Sequence, residues 1–147
     1  MAYDRSDWHY DGEFPADLPS SAGGIHIGMF LAWAITRGFE GDCHRTGSVR
    51  ALLSVRLRRS KGSEFLRKYC EEKFWEDDLN EEGNAFAEDY YAKDGEHGYL
   101  ADYQELLAQG LPSMYHVKDT WENFDRLSAR IDKRFREWRR NARKRRR

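Results

Sequence analysis

Apolar positions run almost unbroken in one part of this chain. From Ile25 to Ile35 the only side chain that is neither apolar nor glycine is His26. A helix apolar on nearly all sides belongs in a protein interior, and this one is too short for a membrane span of roughly 20 apolar residues. Ser21 can cap its start and Gly38 can end it in the left-handed conformation, which predicts a central helix over about 22–38. Met29, Phe30 and Trp33 supply bulk, while Gly28, Ala32 and Ala34 let neighbours approach closely.

The remaining pattern is helical but weaker. Residues 3–20 have neither a helical nor an alternating period, and Pro15 and Pro19 disfavour helix before them, so an extended arm over residues 1–20 is expected. Its apolar residues Trp8, Tyr10, Phe14 and Leu18 read as anchors onto the helical body. Glu40–Gly47 has loop composition. Val49, Leu52, Leu53 and Leu57 then predict an amphipathic helix with arginines outward, the alternating VRLR leaving a strand as the other reading. After a break at Lys61–Gly62, Ser63 opens a helix with Phe65, Leu66, Tyr69, Cys70, Lys73 and Phe74 on one face. Asn80–Asn84 reads as a turn, Ala85–Lys93 as a helix, Asp94–Gly98 as a loop and Tyr99–Gln109 as a helix stopped by Gly110. Asp119 or Thr120 caps the last element, in which Trp121, Phe124, Leu127, Ile131, Phe135 and Trp138 recur at helical steps over about five turns. The pattern predicts an all-α domain of five to six helices over residues 1–140, with a basic disordered tail at 141–147.

Charge sharpens this picture. The net charge of −1 hides a body, residues 1–129, with 14 Lys/Arg against 24 Asp/Glu, and a C-terminal stretch, 130–147, with 11 against 2. Residues 71–96 hold eleven acidic side chains and only Lys73 and Lys93 as cations. Such blocks steer charged partners and say little about fold. The first residues lack a basic start followed by an apolar run, so no secretory signal is expected and a cytoplasmic setting is. Cys43 and Cys70, the only cysteines, are then expected as reduced thiols, a Cys43–Cys70 disulfide being the alternative.

Candidate chemistry is sparse. A buried His26 needs partners for both ring nitrogens: it is either a core histidine tied to a carbonyl, Tyr or Asp of the arm, or a general base or pH sensor. Trp8 and His9 could join it in a polar aromatic cluster. Cys43-His44 with His9, His97 or His116 lacks the short paired spacing of a zinc site, and DDLNEEGN at 77–84 fails the EF-hand spacing. No metal, cofactor or catalytic residue is therefore expected. The acidic block suggests a docking surface for a basic partner, with Phe74, Trp75, Tyr90 and Tyr91 as aromatic anchors and Glu76, Asp77, Asp78, Glu81 and Glu82 as its charges. Arg139, Arg140, Arg143, Lys144, Arg145, Arg146 and Arg147 could contact phosphates of a nucleic acid, or fold back on that block.

At WHYDGEFPADLP, AGGIHIGMFLAWA and DLNEEGNAFAEDYY the chain resembles an uncharacterised family of small bacterial proteins, over roughly residues 3–105. The family carries no established activity, so the resemblance implies no catalytic residue. Its members are similar in size to immunity and accessory proteins of bacterial toxin systems, an analogy without a motif. The expected function is a non-enzymatic interaction protein that neutralises a toxin through its acidic surface. A nucleic-acid-associated protein working through the arginine-rich end, and a small enzyme using His26 with a carboxylate of the arm, are the alternatives.

Overall fold

The structure is a computed structural model and describes residues 1–10, 14–93 and 95–145. It is mostly helical, with one small two-stranded sheet among the described residues. Ala2–Arg5 (β1) is followed by a 3-10 turn at Ser6–His9 and, after the arm, another at Ser20–Gly24 that feeds Ile25–Thr36 (α1). Asp42–Gly47 (α2), Val49–Arg56 (α3) and Gly62–Tyr69 (α4) follow, then Lys73–Trp75 (β2) and a 3-10 turn at Glu76–Asp78. Glu81–Tyr90 (α5), Tyr99–Leu107 (α6), a 3-10 turn at Met114–His116 and Trp121–Arg145 (α7) complete the chain. No helix among the described residues is long and apolar enough to cross a membrane.

From His26 to Ile35 every residue of α1 is buried, and the helix packs on α3, α4 and α7. Phe30 and Trp33 build an aromatic core with Phe74, Phe86, Tyr90, Tyr91, Tyr99 and Phe135. Helix α7 buries Phe124, Leu127, Ile131 and Phe135, and Thr120 caps it by accepting from the Asn123 N–H. The Trp33 indole N–H donates to Asp132 at 2.8 Å, so the apolar helix is tied to α7 through a polar handle.

Several expectations are corrected. The segment after Ser63 is not one helix: α4 ends at Tyr69, and Glu71 and Glu72 take φ of +52° and +60°, a left-handed pair no helix tolerates. The chain thereby reverses into β2, which pairs antiparallel with β1 (Asp4 opposite Phe74, Arg5 opposite Lys73). Ser63 does not cap this helix either; its hydroxyl donates to Asp119. The stretch read as a loop at Glu40–Gly47 contains α2, and the Asn80–Asn84 turn is the first turn of α5, capped by Asn80 Oδ1 on the Gly83 N–H at 2.8 Å. Helix α3 is rotated from its expected register: Leu52 and Val55 are buried, whereas Val49, Leu53 and Leu57 are each more than half exposed. Arg56 holds that rotation: its Nη2 donates to both oxygens of the buried Glu40 at 2.5 and 2.7 Å, and its Nε donates to the Ile35 carbonyl at 3.1 Å. Helix α7 continues through Arg145, so the expected disordered tail is helical as far as the described residues reach; Arg146 and Arg147 lie outside them, as does Asp94 of the expected loop.

Candidate functional site

Asp4 is the point on which the arm closes. β1 turns this carboxylate inward, and the 3-10 turn that follows swings His9 back over it. His26, in the first turn of α1, meets it from below, and Tyr91, just past α5, from the side. The carboxylate accepts from His26 Nε2 at 3.1 Å and Tyr91 Oη at 2.6 Å on one oxygen. On the other it accepts from His9 Nε2 and the Arg5 N–H, both at 2.8 Å. Four donors match the lone-pair sites of an ionised carboxylate. Burial by itself would raise the Asp4 carboxyl; the hydrogen bonds from His26, His9 and Tyr91 outweigh it and hold Asp4 below the usual carboxylate range.

The tautomers follow from that charge. Both Nε2 atoms face carboxylate oxygens, so both carry the proton, leaving each Nδ1 as an acceptor. Tyr115, on the turn before α7, donates to His9 Nδ1 at 2.6 Å. Among the described residues His26 Nδ1 is buried without a partner, as are Ser6 Oγ and Tyr103 Oη. Burial lowers the His26 pKa against the opposing pull of Asp4, so this imidazole is neutral. Tyr99 donates to the His26 carbonyl, which completes the seal. His26 is 1% exposed: the arrangement is a clasp joining arm to body, and a substrate would reach it only if the arm lifted. Of the arm's expected anchors, Tyr10 and Phe14 do pack on the body, Tyr10 against Gly23 and Phe14 against Tyr115. Trp8 does not: it is 54% exposed, with Arg5 over its ring. Asp11–Glu13 of the arm lie outside the described residues.

A second histidine–carboxylate cluster lies where α2 and α4 meet the turn after β2. His44 Nε2 is 2.8 Å from Asp78 Oδ1 and 3.8 Å from Cys70 Sγ, while Cys43 Sγ lies 3.3 Å from the Asp77 carbonyl. Both cysteines are free thiols. Burial, and then the nearby Asp78 carboxylate, pushes both thiols up. A third buried carboxylate, Asp102 on α6, holds Arg130 and Arg134 of α7 and the Tyr90 hydroxyl. Burial opposes its ionisation and the Arg134, Tyr90 and Arg130 hydrogen bonds prevail, lowering its pKa.

The expected docking residues divide. Phe74, Tyr90 and Tyr91 are buried core residues, and Asp78 is buried with its second oxygen accepting the Trp75 N–H at 2.7 Å, so these four cannot contact a partner. Trp75 is 38% exposed, and Glu76, Asp77, Glu81 and Glu82 are exposed beside or after it. Arg139, Arg140, Arg143, Lys144 and Arg145 are exposed on the last turns of α7. Trp138 donates to Asp89 at 2.8 Å and Arg139 approaches Glu82 at 3.9 Å, so this helix leans on α5. An open groove of about 660 Å³ separates them, bordered by Asn80, Glu81, Ala85, Arg139 and Arg143.

These features define a helical protein whose own N-terminal strand is clasped to its core by a buried Asp–His–His–Tyr network. The chain belongs to the family described as Domain of unknown function (DUF7832), whose model matches residues 2–117. Every member of the Asp4 clasp and of the Cys43–Asp78 cluster lies inside that match, and α7 lies beyond it. No curated protein and no solved structure matches the chain.

Proposed function

We propose that this is a cytoplasmic, non-enzymatic interaction protein of the immunity type, which neutralises a bacterial toxin by covering a basic cleft with an acidic face. One observation carries the reading. Exposed Glu76, on the turn after β2, and exposed Glu88, on α5, both act on the half-buried Tyr3 hydroxyl. Its pKa is raised first by burial and then by these two carboxylates, so two separate elements place acidic groups on one side. Trp75, Asp77, Glu81 and Glu82 extend that face, the indole offering a central apolar contact and the carboxylates long-range attraction.

The test uses E76K/D77K/E81K, which alters exposed charges and leaves the buried Asp78 in place. Association with a toxin domain bearing a basic cleft is expected to slow at least about ten-fold at low salt, the difference closing as salt rises. Circular dichroism should stay unchanged, and co-expressed cells should lose protection. A wild-type association rate at low salt overturns the reading.

The helical state of the basic end favours a second reading, in which α7 lies along nucleic-acid phosphates. Five exposed cations from Arg139 to Arg145 would give log K against log salt a slope of roughly −4.5 on duplex DNA. Deleting residues 139–147 should abolish the binding. Unchanged affinity on deletion removes this alternative.

A further inference from the structure

We infer that the corner formed by α2, the end of α4 and the turn after β2 is a binding site for one divalent cation of the zinc type, held by Cys43, His44, Cys70 and Asp78. This goes beyond the interaction reading and does not depend on it. Three segments far apart in sequence deliver the donors: His44 meets Cys70 across 26 residues and Asp78 across 34. One ligand atom each from Cys43, His44 and Asp78 lies within 4.8 Å of the others, and the Cys70 sulfur is 3.8 Å from His44 Nε2. A tetrahedral zinc centre with bonds of about 2.0–2.3 Å needs ligand separations of roughly 3.3–3.8 Å. Cys43, His44 and Asp78 approach that spacing as they stand, and the Cys70 sulfur, outside their 4.8 Å group, moves in to complete the site. The chain's only two cysteines both belong to this corner.

The donor set is the chemistry zinc selects. Two sulfurs, one imidazole and one carboxylate mix soft and borderline ligands, whereas calcium and magnesium take oxygen shells. The scaffold is already fixed. A Cβ at Gly41 would sit 2.1 Å from the Asp77 carbonyl, and the Gly41 N–H donates to the Asp78 carbonyl at 2.9 Å. The backbone that precedes Cys43 and His44 is therefore pressed against the backbone that carries Asp78. The Trp75 N–H holds the second Asp78 oxygen at 2.7 Å, an outer contact of the kind that orients metal-bound carboxylates. Cys43 is exposed and gives the ion an entry path, while His44, Cys70 and Asp78 are buried behind it.

The Asp4, His9 and His26 donors also lie within 4.8 Å of one another, but that carboxylate is already saturated by four N–H and O–H donors. In the Cys43 corner Asp78 has two close partners instead of four, the Trp75 N–H and His44 Nε2, and the two thiols beside it are weak hydrogen-bond donors and strong ligands once ionised. On binding, each thiol releases its proton to solvent as a metal–sulfur bond forms. The His44 proton shifts to Nδ1, freeing the Nε2 lone pair, and Asp78 binds as the carboxylate.

The experiment titrates the reduced, chelator-treated full-length chain with Co²⁺ and then with Zn²⁺. One equivalent of Co²⁺ should give the intense visible bands of a tetrahedral site together with sulfur-to-cobalt charge transfer, and Zn²⁺ should displace it. C43S should lose about half of the charge-transfer intensity and weaken binding more than about 100-fold, since removing a ligand exceeds the 10–100-fold cost of removing an outer partner. Because Cys43 is exposed, its loss reads ligation without disturbing the core. H9N, which alters the other cluster, should leave the spectrum unchanged. An octahedral or sulfur-free spectrum, a C43S spectrum equal to wild type, or loss of the signal in H9N each overturns the assignment.

Discussion

Gly62→Ala is expected to destabilise the protein by more than about 3 kcal/mol, and Gly28→Ala by a similar amount. A Cβ on Gly62 would stand 1.8 Å from the Gly28 carbonyl oxygen and 3.0 Å from the Ala32 methyl. A Cβ on Gly28 would stand 2.3 Å from the Ser63 nitrogen and 2.7 Å from the Gly62 carbonyl carbon. The obstructing atoms are mostly backbone, so no rotamer change relieves the clash and α1 and α4 must separate. Separation unpacks Phe65 and Leu66 of α4 from the buried face of α1. Overpacking in a core costs about 1–3 kcal/mol where side chains can yield, and more where they cannot. Against a total stability of about 5–15 kcal/mol for a domain, the melting temperature should fall by roughly 10 °C. Gly47→Ala supplies the control: nothing lies within 4 Å of the place its new methyl would take, so its melting curve should overlay wild type. Thermal denaturation followed by circular dichroism measures both. A Gly62→Ala protein melting within about two degrees of wild type would show that the helices are free to part.

That crossing is half legible in the sequence. The glycine and alanines of the apolar run signal close approach, but Gly62 reads as a breaker between helices because its role depends on Gly28, 34 positions earlier. The stripe of Phe124, Leu127, Ile131 and Phe135 is readable because one face of a long helix repeats it without conflict, and all four are buried. Helix α3 has no such clarity. Its eight residues offer apolar side chains on two faces, and the ion pair of Arg56 with Glu40 decides which turns inward. The β1–β2 pair is hidden for another reason: strands of four and three residues carry no period, and they meet only because Glu71 and Glu72 reverse the chain. For the site, a buried His26 announces its need for partners, and an aspartate of the arm is one of the choices the sequence allows. The sequence does not single out Asp4, because the arm carries several carboxylates. Cys43-His44 attracts notice as a ligand pair, yet Cys70 and Asp78 fall in a stretch whose periodicity suggests one continuous helix, which would hold them apart from it. The acidic block shows its charge and conceals its packing: Phe74, Tyr90 and Tyr91 look like surface anchors among carboxylates and are core residues instead.

Asp4→Asn is expected to cost about 2–6 kcal/mol at pH 7, about 1–3 for each buried donor left unpaired, and to change how stability depends on acid. The amide keeps one acceptor oxygen and replaces the other with a donor, which then faces a histidine N–H or the Tyr91 hydroxyl. At least two of the four hydrogen bonds are lost, and a buried group left unpaired forfeits its full hydration. The pH dependence follows from two depressed pKa values. His26 is held neutral in the fold, so the unfolded chain takes up its proton first as pH falls below ~6.5. Asp4 is held ionised, so the unfolded chain takes up that proton first below ~3.9. In both windows the unfolded state binds more protons, so stability rises with pH and is lost on acidification. Urea denaturation at about pH 7.5, 5 and 3.5 should show wild type weakening in two stages. His26→Gln, whose amide can still donate to Asp4, should remove the upper stage and keep the lower one. Asp4→Asn should shrink the lower stage, to which Asp102 still contributes, and keep the upper, because His26 without its carboxylate resists protonation still more strongly. If the Asp4→Asn profile runs parallel to wild type across that whole range, the arm is not fastened through this carboxylate.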